Sequence, residues 1–245
     1  MKILLLSDIH SNLVALETVL AAAPAHDAVW CLGDIVGYGP APNECIERLR
    51  GLSVRSLAGN HDWAVLDKLD IADFNHNAQQ AVLWTQDVLK PENRDWLAEL
   101  PERQDLPDDN LTLVHGSPRY PIWEYIMTAG IAAENMSYFD TPVCLYGHTH
   151  VPMLYSTEEQ GGRVRQEYLY PGDPLAPAPL GKSLINPGSV GQPRDRDPRA
   201  SFALLDLDAR TFTLYRVEYD IAATQAAMAR AGLPRPLIER LSYGV

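Results

Sequence analysis

Cysteines are few, basic residues are outnumbered and no long apolar run exists, and each absence narrows what the chain can be. Cys31, Cys45 and Cys144 are an odd number without C-x-x-C spacing. That suggests neither a disulfide framework nor a structural zinc site, and fits a reducing cytoplasm. Lys and Arg number 20 against 32 Asp and Glu, a formal net charge of -12 without a basic stripe. Such a balance disfavours a long nucleic-acid polymer, whose partners bind by neutralising phosphates. Carboxylates that ligate cations add to this sum, and bound metal would reverse the local sign. The apolar run Ile3 to Leu6 is too short for a secretory signal core and stops at Ser7-Asp8. No window approaches the roughly 20 apolar residues that cross a bilayer, so a soluble, unanchored protein is expected.

What remains is ordinary globular material, 245 residues of which 46% are hydrophobic. Short apolar runs alternate with stretches of helical spacing. Ile3 to Leu6, Ala28 to Leu32 and Ser53 to Leu57 read as strands. Between them, Leu13 to Leu20 reads as a helix capped at Ser11-Asn12, and Pro42 to Leu49 as a helix with proline in its first turn. Residues 75 to 100 look helical, broken at Pro91 and bounded by Pro101, and Leu111 to Val114 and Val143 to Tyr146 are further buried strands. After residue 150 hairpins dominate: 153–156 with 164–170 around the turn Glu158 to Gly162, and 201–207 with 211–217. Helical pieces at 220–231 and 235–242 close the chain. The stretch Tyr170 to Pro179 reads as an ordered loop, not a linker, which leaves one domain over 1–245.

The chemistry lies where strands end. Asp8-Ile9-His10, Gly33-Asp34, Gly59-Asn60-His61-Asp62, His115-Gly116 and Gly147-His148-Thr149-His150 each follow a strand, which places them at the carboxyl edge where α/β sheets bind ligands. If the chain stays extended, Asp8 and His10, two apart, point to one side, as do His148 and His150. Taken singly, Asp8 and Asp34 can be turn acids, Asn60 a left-handed turn residue and His115 a core histidine. Jointly those readings fail, because five of the seven histidines fall in clusters along what reads as one edge of one sheet. Asp8, His10, Asp34, Asn60, His115, His148 and His150 mix imidazole, carboxylate and amide oxygen with no thiolate, a set suited to manganese, iron or zinc. Seven ligands are enough for two divalent ions if one carboxylate bridges them, and Asp34, the lone carboxylate mid-series, is the natural bridge.

With these motifs in this order, the chain resembles the calcineurin-like metallophosphoesterases: D-x-H at Asp8 and His10, G-D at Asp34, G-N-H-D at Asn60 to Asp62, a lone His115, and G-H-T-H at His148 and His150. Asn186-Pro187-Gly188-Ser189-Val190-Gly191 is similar to the segment that follows in bacterial members, so the match runs from residue 3 to about 205. The resemblance implies a four-layer α/β/β/α sandwich of two mixed sheets flanked by helices. It also implies two ions about 3.5–4 Å apart, one on Asp8, His10, Asp34 and His150 and the other on Asp34, Asn60, His115 and His148, with a water between them as nucleophile. By the same resemblance His61 serves as general acid at the leaving-group oxygen and Asp62 orients it.

The expected activity is hydrolysis of a small, nucleotide-like phosphomonoester or phosphodiester. A non-catalytic scaffold on the same fold is the alternative, disfavoured because every position including His61 is intact. An amidohydrolase would open with H-x-H in a barrel, which Asp8-Ile9-His10 and the hairpin-rich second half oppose. Arg119 and Arg194, each just past a site motif, are candidate phosphate contacts. Gly37 to Pro40 reads as a turn whose Tyr38 can face the site, and Trp84 and Trp96 as core aromatics.

Overall fold

The computed structural model describes residues 1–159, 161–177 and 181–245. The first apolar run forms β1 (Lys2–Leu6), followed in chain order by β2 (Ala28–Cys31), β3 (Arg55–Ser56), β4 (Arg103–Leu106), β5 (Leu111–Val114), β6 (Val143–Leu145), β7 (Met153–Ser156), β8 (Arg165–Tyr168), β9 (Ser183–Asn186), β10 (Ala200–Asp206) and β11 (Thr211–Val217). They build two mixed sheets, β11-β10-β1-β2-β3 and β4-β5-β6-β9-β7-β8. β1 is central in the first, parallel to β2 with Leu6 opposite Cys31 and antiparallel to β10 with Leu5 opposite Ala203. In the second, β5, β6 and β9 run parallel with Leu113, Leu145 and Ile185 in register.

The period-two geometry of a strand explains why a run with no polar residue is correct for β1. Ile3 and Leu5 join Leu113, Leu145 and Ile185 in the core between the sheets. Leu4 and Leu6 face the other way, onto a core shared with helices. Those helices are α1 (Leu13–Ala22), α2 (Pro42–Gly51), α3 (Asn60–Val65), α4 (His76–Val88) and α5 (Pro91–Ala98), with α6 (Ala129–Asn135), α7 (Ile221–Arg230) and α8 (Arg235–Glu239) later in the chain. Leu16 of α1, Ile46 of α2, Val82 of α4 and Met228 of α7 cover the first sheet, and Ala132 of α6 covers the second beside Phe139 and Tyr155. The layering is the expected α/β/β/α sandwich. Trp84 and Trp96 pack half-buried on the first of these cores.

Two strands escaped the sequence reading. β4 carries Arg103, Gln104 and Asp105 at a sheet edge, without an apolar signal, and β9 is a four-residue insertion between β6 and β7. The described part of the proline-rich loop is tied down, since Leu175 exchanges two 2.8 Å backbone hydrogen bonds with Phe212. Ala178 and Pro179 of that loop, and Gln160 of the 158–162 turn, lie outside the described residues. Among the described residues no helix is long and apolar enough to cross a membrane.

The candidate metal centre

The strand-end clusters do not share one sheet. Asp8, His10, Asp34 and Asn60 follow β1, β2 and β3 of the first sheet, whereas His115, His148 and His150 follow β5 and β6 of the second. The two carboxyl edges meet, and the cleft lies between them.

Nor does the chain stay extended there. Asp8, His10, Asp34, His148 and His150 have φ of 53°, 49°, 52°, 65° and 61°. The left-handed region costs a non-glycine residue roughly 1–2 kcal/mol and persists only where the surroundings over-determine it. Here they do. Asp8 and His10 each donate a 3.0 Å backbone hydrogen bond, to Gly33 O and Asp34 O, zipping the loop after β1 to the loop after β2. Ser189 Oγ donates to Asp8 O at 2.8 Å, and Asn186 Nδ2 donates to Gly147 O and Thr149 Oγ1, so the Asn186–Gly191 segment clamps both halves.

Donor atoms of Asp8, His10, Asp34 and His150 lie within 4.8 Å of one another, as do those of Asp34, His115 and His148. Asn60 Oδ1 joins the second group 3.1 Å from His115 Nε2. Asp34 is common to both: its Oδ2 is 3.5 Å from His10 Nε2 and 3.4 Å from His115 Nε2. That oxygen is buried and accepts no hydrogen bond, while Oδ1 accepts one from His61 N at 2.8 Å.

Each imidazole is set for a cation by its outer nitrogen. His10 Nδ1 donates to Val36 O, His115 Nδ1 to Leu32 O, His150 Nδ1 to Gln192 O and His148 Nε2 to Trp123 O, at 2.6–3.1 Å. A carbonyl only accepts, so these nitrogens carry a proton and the opposite ring nitrogens point inward. His10 Nε2 then faces His150 Nε2 at 3.0 Å, and His115 Nε2 faces His148 Nδ1 at 3.2 Å. Opposed ring nitrogens beside an unpartnered buried carboxylate oxygen fit a shared divalent cation in each group.

Charge follows the same plan. Burial opposes ionisation of Asp8 and Asp34, but His150 beside the first and His115 beside the second hold both carboxyls below the usual range. Burial pushes His10, His148 and His150 down, and His61 to about 4. On His115 burial acts likewise, yet the Asp34 carboxylate outweighs it and lifts this ring to about 9.

His61 borders the cluster at the start of α3, its ring 4.9 Å from that of His10 and 4.3 Å from Tyr38, and its Nδ1 is buried without a partner. Asp62 does not reach it. The Asp62 carboxylate accepts N–H bonds from Ile35, Val36 and Gly59, so it braces the Asp34 loop instead of orienting the imidazole. Two glycines make room: a Cβ at Gly59 would overlap Asp34 Oδ1, and one at Gly37, where φ is 93°, would stand 2.6 Å from His61 Nδ1. Replacing Gly37 with alanine is expected to cost roughly 1–2 kcal/mol in denaturant unfolding. It should also lower turnover with metal content unchanged; wild-type turnover would show that the His61 ring does not need this space.

Of the two arginines, Arg119 is not brought to the cluster. Its guanidinium pairs with Glu134 at 2.6 Å and with Glu124. Arg194 stays: its N–H donates to His150 O at 3.2 Å, its guanidinium lies 5.6 Å over the Tyr38 ring, and its Nε is buried without a partner. The sequence reading passed over Tyr125, which stacks 3.7 Å from the His148 ring, and Trp123, whose carbonyl fixes that ring. A backbone carbonyl has no residue identity to read, and Tyr125 has no motif around it.

This fold and cleft define a metallophosphoesterase, and the chain belongs to the calcineurin-like phosphoesterase superfamily, whose domain matches residues 1–210. It is a hydrolase of ester bonds, in a family that is dinuclear metal-dependent. A metallophosphoesterase from Sphaerobacter thermophilus is 51% identical and superposes with a TM-score of 0.90, covering 100% of this chain and 99% of the other. An uncharacterised protein of Methanocaldococcus jannaschii is 38% identical over 99% of this chain and 98% of its own length. Phosphodiesterase YfcE of Escherichia coli is 29% identical over 85% of this chain and 89% of its own.

Proposed function

We propose that residues 1–245 act as one cytoplasmic metallophosphoesterase domain that hydrolyses a small phosphomonoester or phosphodiester at a dinuclear centre of manganese, iron or zinc. Asp8, His10, Asp34 and His150 would hold one ion and Asp34, Asn60, His115 and His148 the other. The observation that carries this reading is Asp34 Oδ2, unpartnered and nearly equidistant from an imidazole of each group. When bound, the ions would supply Lewis-acid polarisation of the phosphoryl group and a water acidified toward neutrality.

The protein's own groups do the rest. The four carbonyl-anchored imidazoles keep their ligating nitrogens inward, so the ligand geometry is prepared before metal arrives. His61, beside the cluster and buried, passes a proton to the leaving-group oxygen or hydrogen-bonds it as charge develops. Arg194 neutralises a non-bridging phosphate oxygen, and its free Nε is the donor that such an oxygen would satisfy. Replacing Arg194 with alanine is expected to raise KM roughly ten- to a hundred-fold, the range for one charge-assisted hydrogen bond, with kcat little changed. An unchanged KM would remove Arg194 from the substrate site.

The name of the Escherichia coli relative recommends testing diesters beside monoesters. The protein, reconstituted separately with manganese, zinc and iron, should be assayed against a panel of both. Turnover with at least one metal and ester class is expected, and none with any combination would overturn the proposal.

A further inference from the structure

β8 ends the second sheet, and its outer side meets no strand among the described residues. All four of its residues, Arg165, Gln166, Glu167 and Tyr168, are exposed. The other sheet edges offer less: β3 has two residues, β4 is mostly half-buried, and β11 is bridged to Leu175. A free edge is a template for pairing with another chain, and lysine or proline commonly blunts it. β8 has neither.

Its backbone groups are set for such pairing. Leu169 N–H donates to Pro152 O at 3.2 Å, and the next pair along the ladder sets Tyr168 opposite Met153. Hydrogen-bonded and non-bonded pairs alternate in an antiparallel ladder, so Arg165 and Glu167, like Leu169, direct their backbone groups to β7. Gln166 and Tyr168 therefore point N–H and C=O outward. Side chains alternate as well: Arg165 and Glu167 share one face of the strand, Gln166 and Tyr168 the other. On that second face Gln166 and Tyr168 line, with Met127, a cavity of about 510 Å³ that reaches Thr149 and Arg194 beside the metal centre. Tyr168 and Met127 remain 59% and 55% exposed, so apolar surface adjoins the free edge.

The charges choose the partner. Arg165 and Glu167, of opposite sign on one face, are complementary to their own order read backwards. About a two-fold axis through Gln166, a second copy laid antiparallel sets the outward groups of Gln166 against each other and those of Tyr168 against Val164. Arg165 then stands opposite Glu167 twice. The neighbouring registers that keep outward groups opposed set either Arg165 or Glu167 against its own copy, and like charges directly opposite resist association. Within its own chain Arg165 pairs with Glu158 at 2.6 Å, but both side chains are well exposed and that contact exchanges readily.

We propose that β8 pairs antiparallel with β8 of a second copy of this chain, centred on Gln166, joining two six-stranded sheets into one. The cavities beside the two metal centres then lie on the same face of the joined sheet. No metal ligand takes part, so the proposal stands apart from the phosphoesterase reading.

Sedimentation velocity of the whole chain over a range of concentrations is expected to show an equilibrium between one chain and two. Arg165→Glu and Glu167→Arg each turn both cross-strand pairs into like charges and should weaken the dimer about tenfold. The double variant restores opposite charges in the same register and should return the dissociation constant to near the wild-type value. Gln166→Pro removes an outward N–H and no bond to β7, so it should leave a monomer that melts close to wild type. If that variant melts early, the charge variants, whose side chains lie outside the core, carry the decision. A wild type that stays monomeric at every concentration would overturn the proposal and leave the edge to a different extended partner. So would a dimer indifferent to these variants, which would use another face, or a double variant no tighter than the single ones.

Discussion

A His61→Ala protein is expected to turn over roughly 10²- to 10⁴-fold more slowly than wild type, the range lost with a positioned acid, while keeping both metal ions. Its side chain ends near the cluster but is in neither candidate ligand group, and its backbone N–H bonds Asp34 Oδ1. Alanine retains that N–H. The loss should depend on the leaving group. For 4-nitrophenyl phosphate, whose leaving oxygen needs little protonation, the defect should be smaller than for an alkyl phosphate. Kinetics on the two esters together with metal analysis decide the matter: a loss of metal in proportion to activity would make His61 a structural support for the centre and end its separate role.

Asp34→Asn is the second large effect. One residue belongs to both donor groups, so in the proposed centre its carboxylate would serve both ions and a neutral amide would weaken both at once. Activity should fall by more than the 10- to 100-fold typical of residues that merely support a ligand. Metal content should drop toward one ion per chain or none. Folding should survive, because asparagine is nearly isosteric and its amide oxygen can still accept the His61 N–H. Linkage gives a readout independent of turnover. A ligand at a hundred times its Kd stabilises the native state by about 2.7 kcal/mol, so the wild-type melting temperature should rise with added manganese while that of Asp34→Asn stays flat. Two tightly held ions and an unchanged thermal response would show that Asp34 does not bridge.

Which groups belong to the cleft was legible because metal chemistry selects residue types, and strand ends select places. Asp8, His10, Asp34, Asn60, His115, His148 and His150 could be picked out without knowing how the two sheets meet. What could not be read was the manner of delivery. An extended chain is the default after a strand, yet the loops here turn left-handed at Asp8, His10, Asp34, His148 and His150, where tertiary hydrogen bonds override local preference. Asp62 and Arg119 went astray for a related cause. Each follows a site motif closely in sequence, but Asp62 is spent on the backbone of the Asp34 loop and Arg119 on Glu124 and Glu134. The helices α1, α2, α4, α5, α7 and α8 were plain from caps and prolines, whereas β4, with Leu106 as its one apolar residue, and β9, inserted between two strands that both precede it in the chain, depend on pairing that no local window contains.

The carbonyls that anchor the imidazoles also bear on when the centre comes into being. His10 Nε2 meets a partner 140 positions away in His150, and His115 Nδ1 rests on a carbonyl 83 positions earlier. Contacts of such separation close late, after the chain has lost most of its loop entropy to sheet pairing. Three of the four donors in the first group, Asp8, His10 and Asp34, come from the first sheet, but neither group is complete until the segment after β6 brings His148 and His150 against it.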